Sequence, residues 1–181
     1  IVVEVGEGVT EIAIGDPVVS SFVSMCGKCR YCQTGRPQLC DQAAKAAYTL
    51  PDGTVRTRDL QGKPLNIFSG CGVMAEVATL HVDNVVKIDK DIPLDRAALV
   101  SCGVMTGVGA VVNTARVAPG SVTVVFGAGG VGLNAIQGCV IAGAAMIVAV
   151  DMSDAKLELA RQFGATHTVN AKSEENVVKA I

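Results

Sequence analysis

At 181 residues the chain has room for one large domain or two small ones with a real core. Half the residues are hydrophobic, 3% are aromatic and 20 are glycine, so Val, Ala, Ile and Gly build the interior. The net charge of −2 gives no electrostatic case for nucleic acid or for an anionic membrane surface as partner. The most apolar stretch, "AIQGCVIAGAAMIVAV" at 135–150, is short for a membrane span and is interrupted by Gln137 and Gly143. Seven cysteines with no secretory signal suit a reducing cytoplasm, where thiols and metal ligands are expected rather than disulfides. Residue 1 is Ile within a strand-like run, and "SEENVVKAI" reads as a helix cut short, so a fragment is expected.

In chain order, "IVVEV" and "DPVVSSFV" read as short β-branched strands separated by a glycine-rich turn region. The cysteine-rich loop "CGKCRYCQTGRPQLC" (26–40) follows. "TLPDGTVR" carries a Pro-Asp-Gly turn signal, and "CGVMAEVATLHV" and "NVVKID" predict further strands. "DRAALVSCGVMTGVGAVVNTAR" has helical spacing. From 120 the pattern becomes strand ("SVTVVF"), turn ("GAGGVG"), helix ("LNAIQGCVIAG"), strand ("MIVAVD"), helix ("SDAKLELARQFG") and strand ("THTVN"). Ser153 is the predicted N-cap of the second helix and Gly164 ends it. Uninterrupted apolar strands alternating with helices predict a parallel sheet covered on both faces. The expected class is therefore α/β with a β-rich N-terminal part.

Cys26, Cys29 and Cys32 lie three residues apart, and Cys40 follows from the far side of the loop. Thiolates with two-residue gaps converge on one ion through a tight turn, and a fourth closes a tetrahedron. Ferredoxin-type iron–sulfur runs place three residues before a last Cys that Pro follows, whereas the last gap here is seven and Asp41 follows. The spacing thus favours structural zinc over an iron–sulfur cluster, disulfides or free thiols. Lys28, Arg30 and Arg36 are positioned in sequence to offset the excess negative charge.

Gly127, Gly129 and Gly132 stand in GxGxxG register directly after a strand and before a helix, with Gly130 and Val131 between them. In that context the first glycine permits the turn, the second lets backbone approach a pyrophosphate, and the third allows close helix–strand packing. The helix N-terminus offers its free N–H groups to the phosphates. Asp151 ends the next strand, 19 residues after Gly132. It can accept both ribose hydroxyls of an adenosine and repel a 2′-phosphate, so NAD is expected over NADP. The competing reading is a glycine-rich structural turn followed by an ordinary strand-end Asp.

Taken together, "EVGEGVTEIAIGDPVV", the four-cysteine loop, "SCGVMTG" and "VVFGAGGVG" give a chain that resembles the zinc-dependent medium-chain alcohol dehydrogenases along its whole length. The resemblance implies a GroES-like catalytic domain, partial, over residues 1–110, and the first half of a Rossmann domain over 111–181. It implies hydride transfer between NAD and an alcohol or aldehyde, with zinc as Lewis acid. It makes Cys26, Cys29, Cys32 and Cys40 the structural-zinc ligands and Cys102 one ligand of the catalytic zinc. Thr106 and Val131 would touch the nicotinamide, Asp151 and Lys156 the adenosine ribose, and Phe22 and Phe68 would wall the substrate pocket. The remaining catalytic-zinc ligands, the proton relay and the distal Rossmann strands would lie outside the chain, leaving the fragment inactive.

Without the resemblance, Cys102 reads as a small buried hydrophobe, and Phe22 and Phe68 as core aromatics. Cys71 and Cys139 keep that plain reading, and His81 and His167 read as strand or surface histidines, neither fitting the zinc His that the resemblance implies. The expected partners are a small alcohol or aldehyde and, in the full-length protein, a second or further copies as a homodimer or homotetramer. A formaldehyde-type enzyme acting on a thiol adduct is a close variant. A zinc-ribbon module binding protein or nucleic acid is the rival from another class. Against it stand the acidic balance and the absence of interleaved aromatics.

Overall fold

A computed structural model of the chain describes every residue except Phe22, Ala46 and Ala47, together with the side chain of Ala44. It divides into two compact units, Ile1–Ser101 and Cys102–Ile181. The dividing point falls inside one continuous helix, Leu94–Ala115.

In the first unit, β1 (Val18–Ser20) pairs antiparallel with β2 (Val85–Lys87), with Val19 opposite Val86. The buried Asp16 carboxylate accepts from the Ala13 N–H at 2.9 Å and bonds Lys87 Nζ at 2.7 Å. Lys87 first, and the Ala13 N–H after it, hold the Asp16 carboxyl below the usual carboxylate range. The cysteine loop is built from α1 (Arg30–Gln33), a 3-10 turn Pro37–Leu39 and α2 (Asp41–Lys45). The Pro-Asp-Gly turn forms as predicted, with Leu50 and Thr54 bonded across it and Gly53 at φ 79.

The β content is lower than the sequence suggests. Ile1–Val5 and the stretch 71–82 are not strands. A β-branched run becomes a strand only where a second backbone supplies the ladder. Among the described residues, Ile1–Val5 finds only the Val2 exchanges with Asp16 and Gly15, and 71–82 finds no ladder partner.

The helix Leu94–Ala115 contains α3 (Leu94–Leu99) and α4 (Met105–Gly109), with π-type turns at Val100–Val104 and Ala110–Ala115. With 22 residues and a mean hydropathy of 1.5, it is long and apolar enough to cross a bilayer by length and composition alone. The sequence had drawn attention instead to 135–150. In the second unit its α4 portion packs on α5 (Gly130–Ile141).

The second unit follows prediction closely. β3 (Val122–Phe126), β4 (Met146–Asp151) and β5 (His167–Asn170) form a parallel sheet in the order β3-β4-β5. α5 and α6 (Asp154–Gln162) connect them, and α7 (Val177–Ala180) comes last. Leu133, Ile136 and Cys139 of α5 and Leu157 and Ala160 of α6 bury one sheet face together with Ile147 and Ala149. On the other face Val148, Val150 and Val169 form a smaller cluster, with Val177 of α7 against it. Burying each such aliphatic side chain contributes roughly 1.5–3 kcal/mol. Ser153 occupies the N-cap of α6, but its hydroxyl makes no cap bond. Gly164 follows the helix at φ 109.

Candidate metal centre and cofactor turn

The Cys26, Cys29, Cys32 and Cys40 sulfurs all lie within 4.8 Å of one another, with Cys29 Sγ 3.6 Å from Cys32 Sγ and 4.0 Å from Cys40 Sγ. A tetrahedron with metal–sulfur bonds of about 2.3 Å has edges of about 3.8 Å. The four thiols therefore fit a zinc ion of closed coordination, and none is in a disulfide. The loop turns its own amides toward the sulfurs: the Cys26 N–H donates to Cys40 Sγ at 3.5 Å.

These amides set the acidity of the thiols. Backbone N–H groups of Cys32 and Asp41 lower the Cys29 thiol to about 6. Burial opposes ionisation of Cys40, yet N–H groups of Cys26, Ala43 and Gln42 outweigh it and lower that thiol too. Burial and the neighbouring Cys29 push Cys32 up to about 12. Adjacent thiols disfavour one another's ionisation, and a divalent cation among them would relieve this. Arg30 lies over the Tyr31 ring, 4.4 Å from its centroid, and donates to Tyr31 Oη at 2.5 Å.

At the glycine turn, Gly127 has φ 89, a left-handed conformation that glycine adopts without strain. A Cβ on Gly132 would stand 1.8 Å from the Gly127 carbonyl oxygen, so the turn closes only with glycine there. A Cβ on Gly129 would meet nothing within 4 Å. That open approach, at the N-cap of a twelve-residue helix, is what a pyrophosphate needs. Gly130 and Val131 open α5 on the exposed side.

Asp151 closes the arrangement. Its Oδ2 accepts the Ala128 N–H at 2.8 Å and its Oδ1 accepts the Ser153 N–H at 3.0 Å. The Ala128 bond, ahead of the Ser153 bond and the positive charge of Lys156, holds the carboxyl below its ordinary range. Each oxygen keeps a further lone pair for a ribose hydroxyl. The turn, the helix end and the acid together fit a dinucleotide.

Cys102 sits exposed in the π-type turn Val100–Val104, and Thr106 is exposed on α4. The α4–α5 crossing brings this segment to the glycine turn: a Cβ on Gly107 would lie 2.5 Å from the Val131 carbonyl oxygen. Spacing alone did not mark Gly107. Phe68 is 71% exposed in the first unit, with Tyr48 beside it at 6.5 Å between centroids and 57° between planes. The sequence reading missed Tyr48, whose only signal was the scarcity of aromatics. Phe22 lies outside the described residues.

Cys139 is core, as expected. Cys71 is buried but polar, directing its thiol at the Ser21 and Ser69 carbonyls. His81 caps its own turn by accepting the Asp83 N–H, and His167 lies beside Thr166 on β5. Among the described residues the four-cysteine set is the only metal-ligating cluster.

Comparison with known proteins agrees with this geometry. Residues 1–90 match the family model described as alcohol dehydrogenase GroES-like domain, and residues 130–181 match zinc-binding dehydrogenase. The S-(hydroxymethyl)glutathione dehydrogenase of Paracoccus denitrificans is 43% identical over 183 residues, covering 100% of this chain and 49% of that protein. The class-3 alcohol dehydrogenase of Cereibacter sphaeroides is 41% identical, covering 99% of this chain and 48% of its own length. The solved benzyl alcohol dehydrogenase of Acinetobacter calcoaceticus superposes with a TM-score of 0.80 at 36% identity, covering 97% of this chain and 48% of the other. A zinc-binding alcohol dehydrogenase domain protein from Burkholderia ambifaria reaches a TM-score of 0.88 at 38% identity, over 98% and 48% of the two chains. The chain thus spans about half the length of the curated relatives it matches, and it carries a GroES-like portion followed by part of a Rossmann fold. With the zinc-fitting thiol cluster, the glycine turn and both matched domains in one order, the chain belongs to the zinc-dependent medium-chain alcohol dehydrogenase family.

Proposed function

We propose that the complete protein is a zinc-dependent, NAD-linked alcohol dehydrogenase acting on small alcohols and aldehydes. The observation that carries this reading is the α4–α5 crossing at Gly107, which sets the Thr106 segment against Val131 and the glycine turn. In this reading residues 1–110 supply the zinc lobe and substrate walls, and residues 111–181 begin the cofactor domain. The N–H groups of Gly129 to Gly132 hold the pyrophosphate, and Asp151 with Lys156 binds the ribose. Thr106 and Val131 support the nicotinamide, Cys102 gives one thiolate to the catalytic metal, and Phe22 and Phe68 line the alcohol pocket. When bound, zinc would supply Lewis acidity and NAD the hydride-accepting ring.

The paired rings of Phe68 and Tyr48 favour an apolar, aromatic alcohol. A second reading, oxidation of a thiol–formaldehyde adduct, is supported by relatives named S-(hydroxymethyl)glutathione dehydrogenase at 43% and 40% identity. Seven free thiols suit a cytoplasmic enzyme, and a homodimer or homotetramer is the expected assembly. Purified complete enzyme is assayed with NAD and benzyl alcohol, ethanol or S-(hydroxymethyl)glutathione. Preference for benzyl alcohol supports the first reading, and preference for the glutathione adduct replaces it with the second. NAD-linked turnover of none of the three would sink both.

A further inference from the structure

Asn84 is completely buried, at the end of a 3-10 turn that leads into β2. Its side chain is not part of any metal or cofactor site, yet its amide is fully engaged. Oδ1 accepts from Ser24 Oγ at 2.9 Å. Nδ2 donates to the Ser21 carbonyl at 3.0 Å and to the Ser69 carbonyl at 3.3 Å. The backbone joins in, with the Ser21 N–H donating to the Asn84 carbonyl at 2.7 Å. Cys71, whose thiol burial pushes up and so keeps protonated, donates toward the same Ser21 and Ser69 carbonyls at 3.3 and 3.4 Å.

One amide thus ties together two segments far apart in sequence, Ser21–Ser24 and Ser69–Cys71. Ser69 is held at φ 53, a left-handed conformation uncommon for serine, and its carbonyl is the atom gripped. Phe68 immediately precedes that residue, and its own carbonyl accepts the Cys71 N–H at 3.1 Å. A buried amide with both donors used and a strained residue in its grip fixes backbone more tightly than apolar packing does.

We infer that Asn84 is a positioning residue that sets the substrate-wall segment carrying Phe68, and with it the alcohol selectivity of the enzyme. This rests on the reading that Phe68 lines the alcohol pocket. Asn84 touches no substrate; it acts through Ser21, Ser24, Ser69 and Cys71. Shortening it frees the Ser69 backbone to leave its left-handed conformation, and Phe68 moves with it.

The test uses the complete, zinc-loaded enzyme with NAD, and compares kcat/KM for benzyl alcohol and for ethanol. Asn84→Ser is expected to change that ratio by roughly tenfold, mainly through KM for the larger alcohol. Zinc content and NAD dissociation constant, which a general loss of structure would move, are expected to stay at wild-type values. Ser24→Ala removes a single bond from the same node and is expected to shift the ratio in the same direction, by roughly threefold; it decides the matter if Asn84→Ser does not fold. Phe68→Ala separates the two ideas. If it leaves the ratio unchanged, the pocket reading fails and the role of Asn84 falls with it. If it changes the ratio while folded Asn84→Ser, or Ser24→Ala in its place, leaves it at the wild-type value, the positioning role alone is overturned.

Discussion

The Asp151 carboxylate accepts the Ala128 N–H at 2.8 Å, tying the end of β4 to the middle of the glycine turn. The acid proposed to select the cofactor therefore also shapes the loop proposed to bind it. Asp151→Asn keeps an acceptor for Ala128 but loses the charge, whereas Asp151→Ser loses both. In the complete enzyme both variants are expected to narrow the NAD preference over NADP by roughly ten- to a hundredfold, the worth of one charged hydrogen bond. Only the Ser variant is expected to lower the thermal midpoint as well. Wild-type enzyme that already used both cofactors equally would contradict this role for Asp151.

Gly129 and Gly132 are expected to fail in different ways when a methyl is added. At Gly132 the methyl meets the Gly127 carbonyl oxygen, so Gly132→Ala is expected to lower the melting temperature and abolish NAD binding. Gly129 has φ −85 and open space around it, so Gly129→Ala is expected to melt like wild type yet bind NAD at least roughly tenfold more weakly, by crowding the phosphates. Equal loss of stability in both variants would show that Gly129 faces protein rather than ligand.

The four thiols are expected to hold one zinc. Cys32→Ser is expected to lose that ion on dialysis, measured by metal analysis, and to raise amide exchange across residues 26–45. Exchange in β3 to β5, which belong to the other compact unit, is expected to stay unchanged. Full zinc retention in the variant would count against a four-cysteine site.

Asp16 gives the first unit an acid-sensitive contact. Its pKa is lowered in the folded state by Lys87 and the Ala13 N–H. Its stabilisation is therefore complete above the unfolded value of about 3.9, and is lost as pH falls through the folded value. Asp16→Asn is expected to melt at a lower temperature than wild type at pH 7, with the difference shrinking below about pH 4. A difference that grew on acidification would mean that the Asp16–Lys87 pair does not form in solution.

How far the sequence could be read depended on where each segment finds its partners. In the second unit the strands are continuous apolar runs and the turns are marked by Gly127 and Gly164, so local pattern and fold agree. The cysteine spacing likewise carried its own geometry. In the first unit "IVVEV" and "CGVMAEVATLHV" have strand composition, but a strand is a relation between two backbones, and composition does not record the second one. Arg30 was expected to offset the thiolate charge; the structure also places it over the adjacent Tyr31 ring, a contact that spacing did not mark. Asn84 and Tyr48 carried no periodic signal, because their importance lies in contacts with residues distant in sequence.

The cysteine loop also has a chemical shelf life. Cys29 and Cys32 hold their sulfurs 3.6 Å apart, and the backbone amides that lower the Cys29 thiol favour its thiolate form. A bound cation ties up those electron pairs. Once a chelator removes it, peroxide can oxidise Cys29 to the sulfenic acid, and Cys32 can displace water to close a disulfide, the two electrons having passed to the peroxide. The bond of about 2.05 Å then draws the two sulfurs inside the spacing a metal requires. A preparation stripped of zinc and exposed to peroxide is thereby expected to become refractory to zinc until a reductant is added.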